Sequence, residues 1–243
     1  MKRLTVQLFT VVLAVAVLTV PAHGQLSGLP DYFSPKGTTG LTLSGDYGRC
    51  TSECGGGLNP SFIGARATLG LPIVTIGVGG GSYNTDVSGA DKEITFASNV
   101  AVRLIGGALL PVSVNVQAGV GFLKVGDLTT DFIELTTTTV PIGVGIAANV
   151  PTPGASIEPW IAPRIQVTRT KLELFLGGPL SGTSTDTHFG ISGGVNIGLA
   201  GGLGFHAAFD YLNLNGVSPI TIGVGLHYTF KLPGIGVPMV PGV

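Results

Sequence analysis

The chain has 243 residues, of which only 10% are charged; it carries 40 glycines and a formal net charge of −1. A soluble surface normally needs about 25–35% Lys, Arg, Asp and Glu, so this composition, with a mean hydropathy of +0.52, points to an apolar surrounding. The near-neutral balance, without a basic stripe or a Lys/Arg cluster interleaved with aromatics, argues against a nucleic-acid partner.

In chain order, Lys2 and Arg3 precede an almost wholly apolar run from Leu4 to Val20, and Ala22-His23-Gly24 places small residues where a signal peptidase reads. This is the layout of a secretory signal peptide, expected over residues 1–24. A retained membrane anchor, the competing reading, would usually need about 20 apolar residues. After residue 24, Gly, Pro, Asn or Thr interrupts every apolar run before it reaches the length of a transmembrane helix. An apolar exterior without spanning helices leaves a closed β-barrel, because only closure pairs every backbone polar group within lipid.

Period-two alternation then recurs along the chain. Strands are expected over 39–47, 61–71, 73–84, 93–105, 112–122, 139–150, 158–170, 187–199, 203–213 and 220–230. The segment 112–122 is the clearest: Val112, Val114, Val116, Ala118, Val120 and Phe122 share one face, opposite Ser113, Asn115, Gln117, Gly119 and Gly121. Longer polar connections (48–60, 85–92, 126–137, 171–186, 214–219) alternate with short Pro/Gly turns, as in membrane barrels with long outer loops and short periplasmic turns. The expected fold is all-β: a closed, antiparallel, up-and-down transmembrane barrel of about ten strands. Eight is the alternative if two segments are loop excursions.

The polar face distinguishes a barrel from a soluble sandwich. A water-facing sheet would carry Lys and Glu, whereas this face carries Gly, Ser, Thr, Asn and Gln. Arg66, Arg103, Arg164, Asp46, Asp210 and Glu158 all share the polar parity. An Arg at the bilayer midplane costs about 2–4 kcal/mol, so these residues are assigned to the lumen. They read either as internal ion pairs or as a weakly selective constriction. Lys124 and Arg169 break parity at outer strand ends, where long side chains snorkel. Tyr47, Phe96, Phe122, Phe189, Phe209 and Tyr211 mark an outer aromatic belt, and Phe205, Tyr228 and Phe230 an inner one. Trp160 has inward parity, unless a bulge near Pro159 or Pro163 turns it outward.

With these features in place, the chain resembles the small bacterial outer-membrane β-barrel superfamily that includes the OmpA transmembrane domain, OmpX and OmpW. The likeness covers residues 38–230 and is most specific in the last strand, Thr221-Ile-Gly-Val-Gly-Leu-His-Tyr-Thr-Phe230. It implies residence in the cell outer membrane among its lipids, and recognition by the barrel-assembly machinery through Leu226, Tyr228 and Phe230. Such chains usually end at that Phe, whereas here a Pro/Gly-rich tail, 231–243, follows. The expected division is a signal peptide (1–24), a periplasmic segment (25–37), the barrel (38–230) and the tail.

Cys50 and Cys54, close together in an exported chain, most simply form a loop-closing disulfide; free thiols or a metal site with Glu53 are the alternatives. His188, His206 and His227 fall on the inward parity, as a proton-linked set or as plain lumen polar residues. Asp46, Asp186, His188 and Asp210 fall toward the outer rim, where omptin proteases place acidic residues and a His. No catalytic triad order, zinc spacing or cofactor motif is recognisable, and no catalytic, cofactor or metal residue is assigned. Three classes of function stay open: a structural or surface-interaction scaffold, a narrow passive channel or carrier for a small solute, and a rim-located hydrolase.

Overall fold

A computed structural model describes residues 39–54, 58–87, 92–107, 110–125, 133–175, 179–214 and 216–231. The expected signal peptide, the segment 25–37 and the tail from 232 onward lie outside the described residues. The elements are β1 (Gly40–Ser52), β2 (Ser61–Gly70), β3 (Val74–Asn84), β4 (Glu93–Gly107), β5 (Leu110–Val125), β6 (Ile133–Ala148), β7 (Val150–Thr152), β8 (Ala155–Phe175), β9 (Pro179–Leu199), β10 (Leu203–Asn213) and β11 (Ile220–Phe230). The short β7 resumes β6 after Asn149, whose N–H continues the β5–β6 ladder to the Pro111 carbonyl at 2.6 Å. The wall is therefore a closed antiparallel barrel of ten strands.

Sequence neighbours pair around the ring, and two pairings complete it. β6 pairs with β8 from Ile133↔Leu174 to Ala147↔Trp160. β1 pairs with β11 from Leu41↔Phe230 to Ser52↔Ile220, the seam between the chain's first and last strands. Backbone groups that would be stranded in hydrocarbon are thus satisfied strand to strand.

The pleat places alternate side chains outside and inside. Val116 and Phe122 are 40% and 49% exposed, while Gln117, between them in sequence, is 6% exposed. Trp160 points inward and is buried; no bulge turns it toward lipid.

The expected outer loop 171–186 is strand for most of its length. β8 and β9 form a long hairpin in which Lys171 pairs with Thr183 and Glu173 with Ser181. β6 likewise begins at Ile133, before the expected 139. Beyond the hydrocarbon the outward face meets water, so charged and hydroxyl residues replace apolar ones and the alternation that marks a membrane strand fades.

The two faces predict opposite tolerances. Val116→Arg, on the lipid face, should cost about 2–4 kcal/mol and lower the yield of barrel that migrates anomalously on unboiled gels. Gln117→Arg should assemble far better, and equal yields would contradict the facing of β5.

Candidate functional site

The lumen is filled where opposite walls meet. Phe62 of β2, Ala147 of β6, Trp160 and Ala162 of β8, and Ala208 of β10 form one buried apolar cluster, with Ala97 of β4 packed against it. Five strands from around the ring thus contribute to one plug. A second cluster joins Tyr83, Leu123, Val125 and Leu135, with Leu172 against it. Its members lie toward the outer ends of β3, β5, β6 and β8.

Polar side chains occupy the rest of the interior in two separate groups. In the first, Arg164 donates from Nη1 and Nη2 to the two carboxylate oxygens of Asp210 at 2.6 and 2.8 Å. Ser192 Oγ donates to Asp210 at 2.6 Å and accepts from Arg164 at 2.6 Å. This clamp links β8 to β10 across β9, with both charged side chains 2% exposed. Gly190 stands opposite Arg164, and a Cβ there would sit 3.0 Å from the guanidinium carbon; the glycine makes room for the clamp.

In the second group, Arg66 donates to Asp46 from Nε at 2.8 Å and from Nη2 at 3.1 Å. His206 Nε2 donates to the same carboxylate at 2.7 Å. With that proton on Nε2, a neutral His206 offers Nδ1 as an acceptor, and His227 Nδ1 lies 3.2 Å from it. His227 also lines a depression of about 330 Å³ at the end with short connections, together with Gly154, Ser156, Gly198, Gly202 and Thr229. Elsewhere in the interior, Glu158 accepts from Asn196 Nδ2 at 3.3 Å. Arg103 stands on the inward parity of β4, across from Asn115.

The residues considered for a hydrolytic rim do not converge. Asp46 and Asp210 are engaged as above, Asp186 accepts from Ser184 at 2.8 Å, and the four residues share no hydrogen bond among the described residues. His188 is half-buried, with Nδ1 unpartnered.

At the outer rim Cys50 and Cys54 form a disulfide with a Cα–Cα distance of 6.0 Å. Glu53, inside that loop, has a φ of 51°, and its carboxylate accepts the Ser218 N–H at 2.6 Å. Asp86 also has positive φ, 66°, and accepts the Asn59 N–H at 3.0 Å. The two non-glycine residues with positive φ among the described residues are therefore both carboxylates that fasten one outer connection to another. Left-handed backbone at a non-glycine residue costs of order 1–3 kcal/mol, and the disulfide and these hydrogen bonds hold it.

Phe62 and Tyr83 were not singled out from sequence, although Phe62 shares the parity of Arg66. That shared parity was the available signal. An apolar residue on the polar face marks a plug rather than a strand error.

A ten-strand antiparallel wall, apolar outside and filled inside, defines a membrane-spanning β-barrel. Residues 62–230 match the family described as outer membrane protein beta-barrel domain, and the chain belongs to it. No curated protein matches the chain in sequence. Solved structures similar to it include Ail, the attachment invasion locus protein of Yersinia pestis, at 12% identity over 79% of this chain and 100% of that one, with a TM-score of 0.41. The outer membrane protease OmpT of Escherichia coli is 13% identical over 85% and 99%, with a TM-score of 0.41. The translocator domain of the autotransporter NalP from Neisseria meningitidis is 14% identical over 79% and 90%, with a TM-score of 0.45. At such values these likenesses carry no argument about activity.

Arg164→Met should strand the Asp210 carboxylate and destabilise the barrel by about 3–5 kcal/mol, whereas the double variant R164M/D210L should recover most of that loss. Urea unfolding in lipid vesicles, followed through Trp160, the single tryptophan of the chain, measures both. At the rim, replacing Cys50 and Cys54 by Ser should leave the barrel folded but speed hydrogen exchange at the Ser218 amide. Unchanged protection there would mean that Glu53 keeps its hold without the disulfide.

Proposed function

We propose that the chain is a structural or surface-interaction scaffold: a barrel anchored in the bacterial outer membrane that presents its outer wall and connections rather than conducting solute. The filled lumen carries this reading, since Phe62 and Trp160 pack in one buried cluster built from five strands. The long β8–β9 hairpin and the fastening of outer connections through Glu53 and Asp86 support it, because a display surface gains from being held in one conformation. No catalysis is assigned, as Asp46 and Asp210 are held in ion pairs.

The last strand fits recognition by a barrel-assembly machinery. Leu226, Tyr228 and Phe230 face outward, 64%, 42% and 45% exposed, on the strand that closes the seam with β1. The chain continues to Val243, so recognition of this strand would have to proceed without a carboxylate directly after Phe230.

A narrow passage for small solutes is the second reading. It is favoured by the buried, unpartnered Asn99 Nδ2 and Gln117 Oε1 and by the depression beside His227. Planar-bilayer recordings separate the two. The scaffold predicts a silent wild type that begins to conduct when Phe62→Ala and Trp160→Gly remove the plug. Steady conductance by the wild type would favour the passage instead.

A further inference from the structure

We propose that the outward face of the protruding wall, centred on Arg169 and Lys171, binds the phosphorylated headgroup of a lipid in the surrounding outer leaflet. The register makes the change in chemistry on this face abrupt. Ala118, Ile142, Ile165 and Phe189 stand side by side in one row across β5, β6, β8 and β9, and the last three are each more than half exposed. Val140, Val167 and Thr187 follow in the next outward row. The row after that is Phe122, Thr138, Arg169 and Thr185, and then come Lys124, Thr136, Lys171 and Thr183. Successive outward rows lie about 7 Å apart along a strand, so the apolar band gives way to cations within one step. Arg169 shares its row with Phe122, an exposed aromatic of the kind that sits at headgroup level.

Charge and geometry both suit a phosphate here. Lys124 pairs with Glu134 at 3.0 Å and Lys171 with Glu173 at 2.7 Å, whereas Arg169 forms no ion pair among the described residues. Among the described residues of this face, three cations against two carboxylates leave a positive surplus centred on Arg169. Its planar guanidinium matches two phosphate oxygens at once. Thr138 and Thr185 flank it on neighbouring strands about 4.8 Å away, with hydroxyls to offer the remaining oxygens. The face is continuous with the lipid-covered band below it, so the molecule lying against it is a lipid headgroup rather than a soluble anion. Basic residues at such a boundary attract anionic headgroups.

Native mass spectrometry of the refolded full chain in detergent tests this with three probes: diphosphorylated lipid A, the same lipid without phosphates, and inorganic phosphate. The wild type should retain the phosphorylated lipid over its dephosphorylated counterpart. Retention should fall about fivefold for each charge removed in R169Q and in R169Q/K171Q, while Lys231→Gln, at the opposite rim, should behave as wild type. Heat-modifiable gel mobility checks that each variant is folded. Where the charge variants fail to refold, Thr138→Val with Thr185→Val replaces them and should also weaken retention. Wild-type retention by the folded variants would overturn the proposal. So would equal retention of the dephosphorylated lipid, or equal binding of inorganic phosphate, which would mark a site for free anions.

Discussion

Backbone closure in hydrocarbon is the constraint from which the rest of this structure follows. An unpaired N–H or C=O in lipid costs several kcal/mol, so a sheet of hairpins is not viable until its edges meet. Hairpin pairings are local in sequence, but the β1–β11 seam brings together residues such as Thr42 and Thr229, whose hydroxyls lie 2.9 Å apart. Closing with ten strands also bends the sheet tightly. The inward face then has room for few large side chains, which is why glycines abound there and why Phe62 and Trp160 suffice to build a plug from opposite walls.

The same enclosure governs the interior charges. In a poorly solvated lumen an isolated charge is costly, and each buried carboxylate described here has a partner within reach: Asp210 in the Arg164 fork, Asp46 between Arg66 and His206. Tightly held in this way, these charges serve to tie walls together. The Arg164–Asp210 clamp spans three strands, and the Asp46 group joins β1, β2, β10 and, through His227, β11. A guanidinium already engaged by a carboxylate has less capacity to select a passing ion, which is consistent with a scaffold.

Outside the bilayer the constraint lapses. Water satisfies backbone groups there, so β9 runs past the point where its pairing with β10 stops, at Phe189↔Asn213. The wall extends as a hairpin, and the remaining connections are fastened by side chains instead of by a ladder. Glu53 and Asp86 do this from left-handed backbone, one of them inside a disulfide-closed loop. The boundary between the two regimes is where apolar rows end and Arg169 and Lys171 begin.

Much of the fold was legible in the sequence because strand facing is a local property with a period of two. The alternation in 112–122, the placement of Arg66, Arg103 and Arg164 on the polar parity and the low charge content together pointed to a barrel of about ten strands, with eight as the alternative, and to which residues turn inward; Cys50 and Cys54 were close enough to read as a pair. Tertiary structure alone decided which inward side chains meet. That depends on register around a closed ring, and no local period encodes that Arg164 reaches Asp210, that His206 joins Arg66 on Asp46, or that Phe62 packs in one cluster with Trp160. It also decided how far β8 and β9 extend, because beyond the membrane the outward face is wet and its residues lose the apolar pattern by which a strand is recognised.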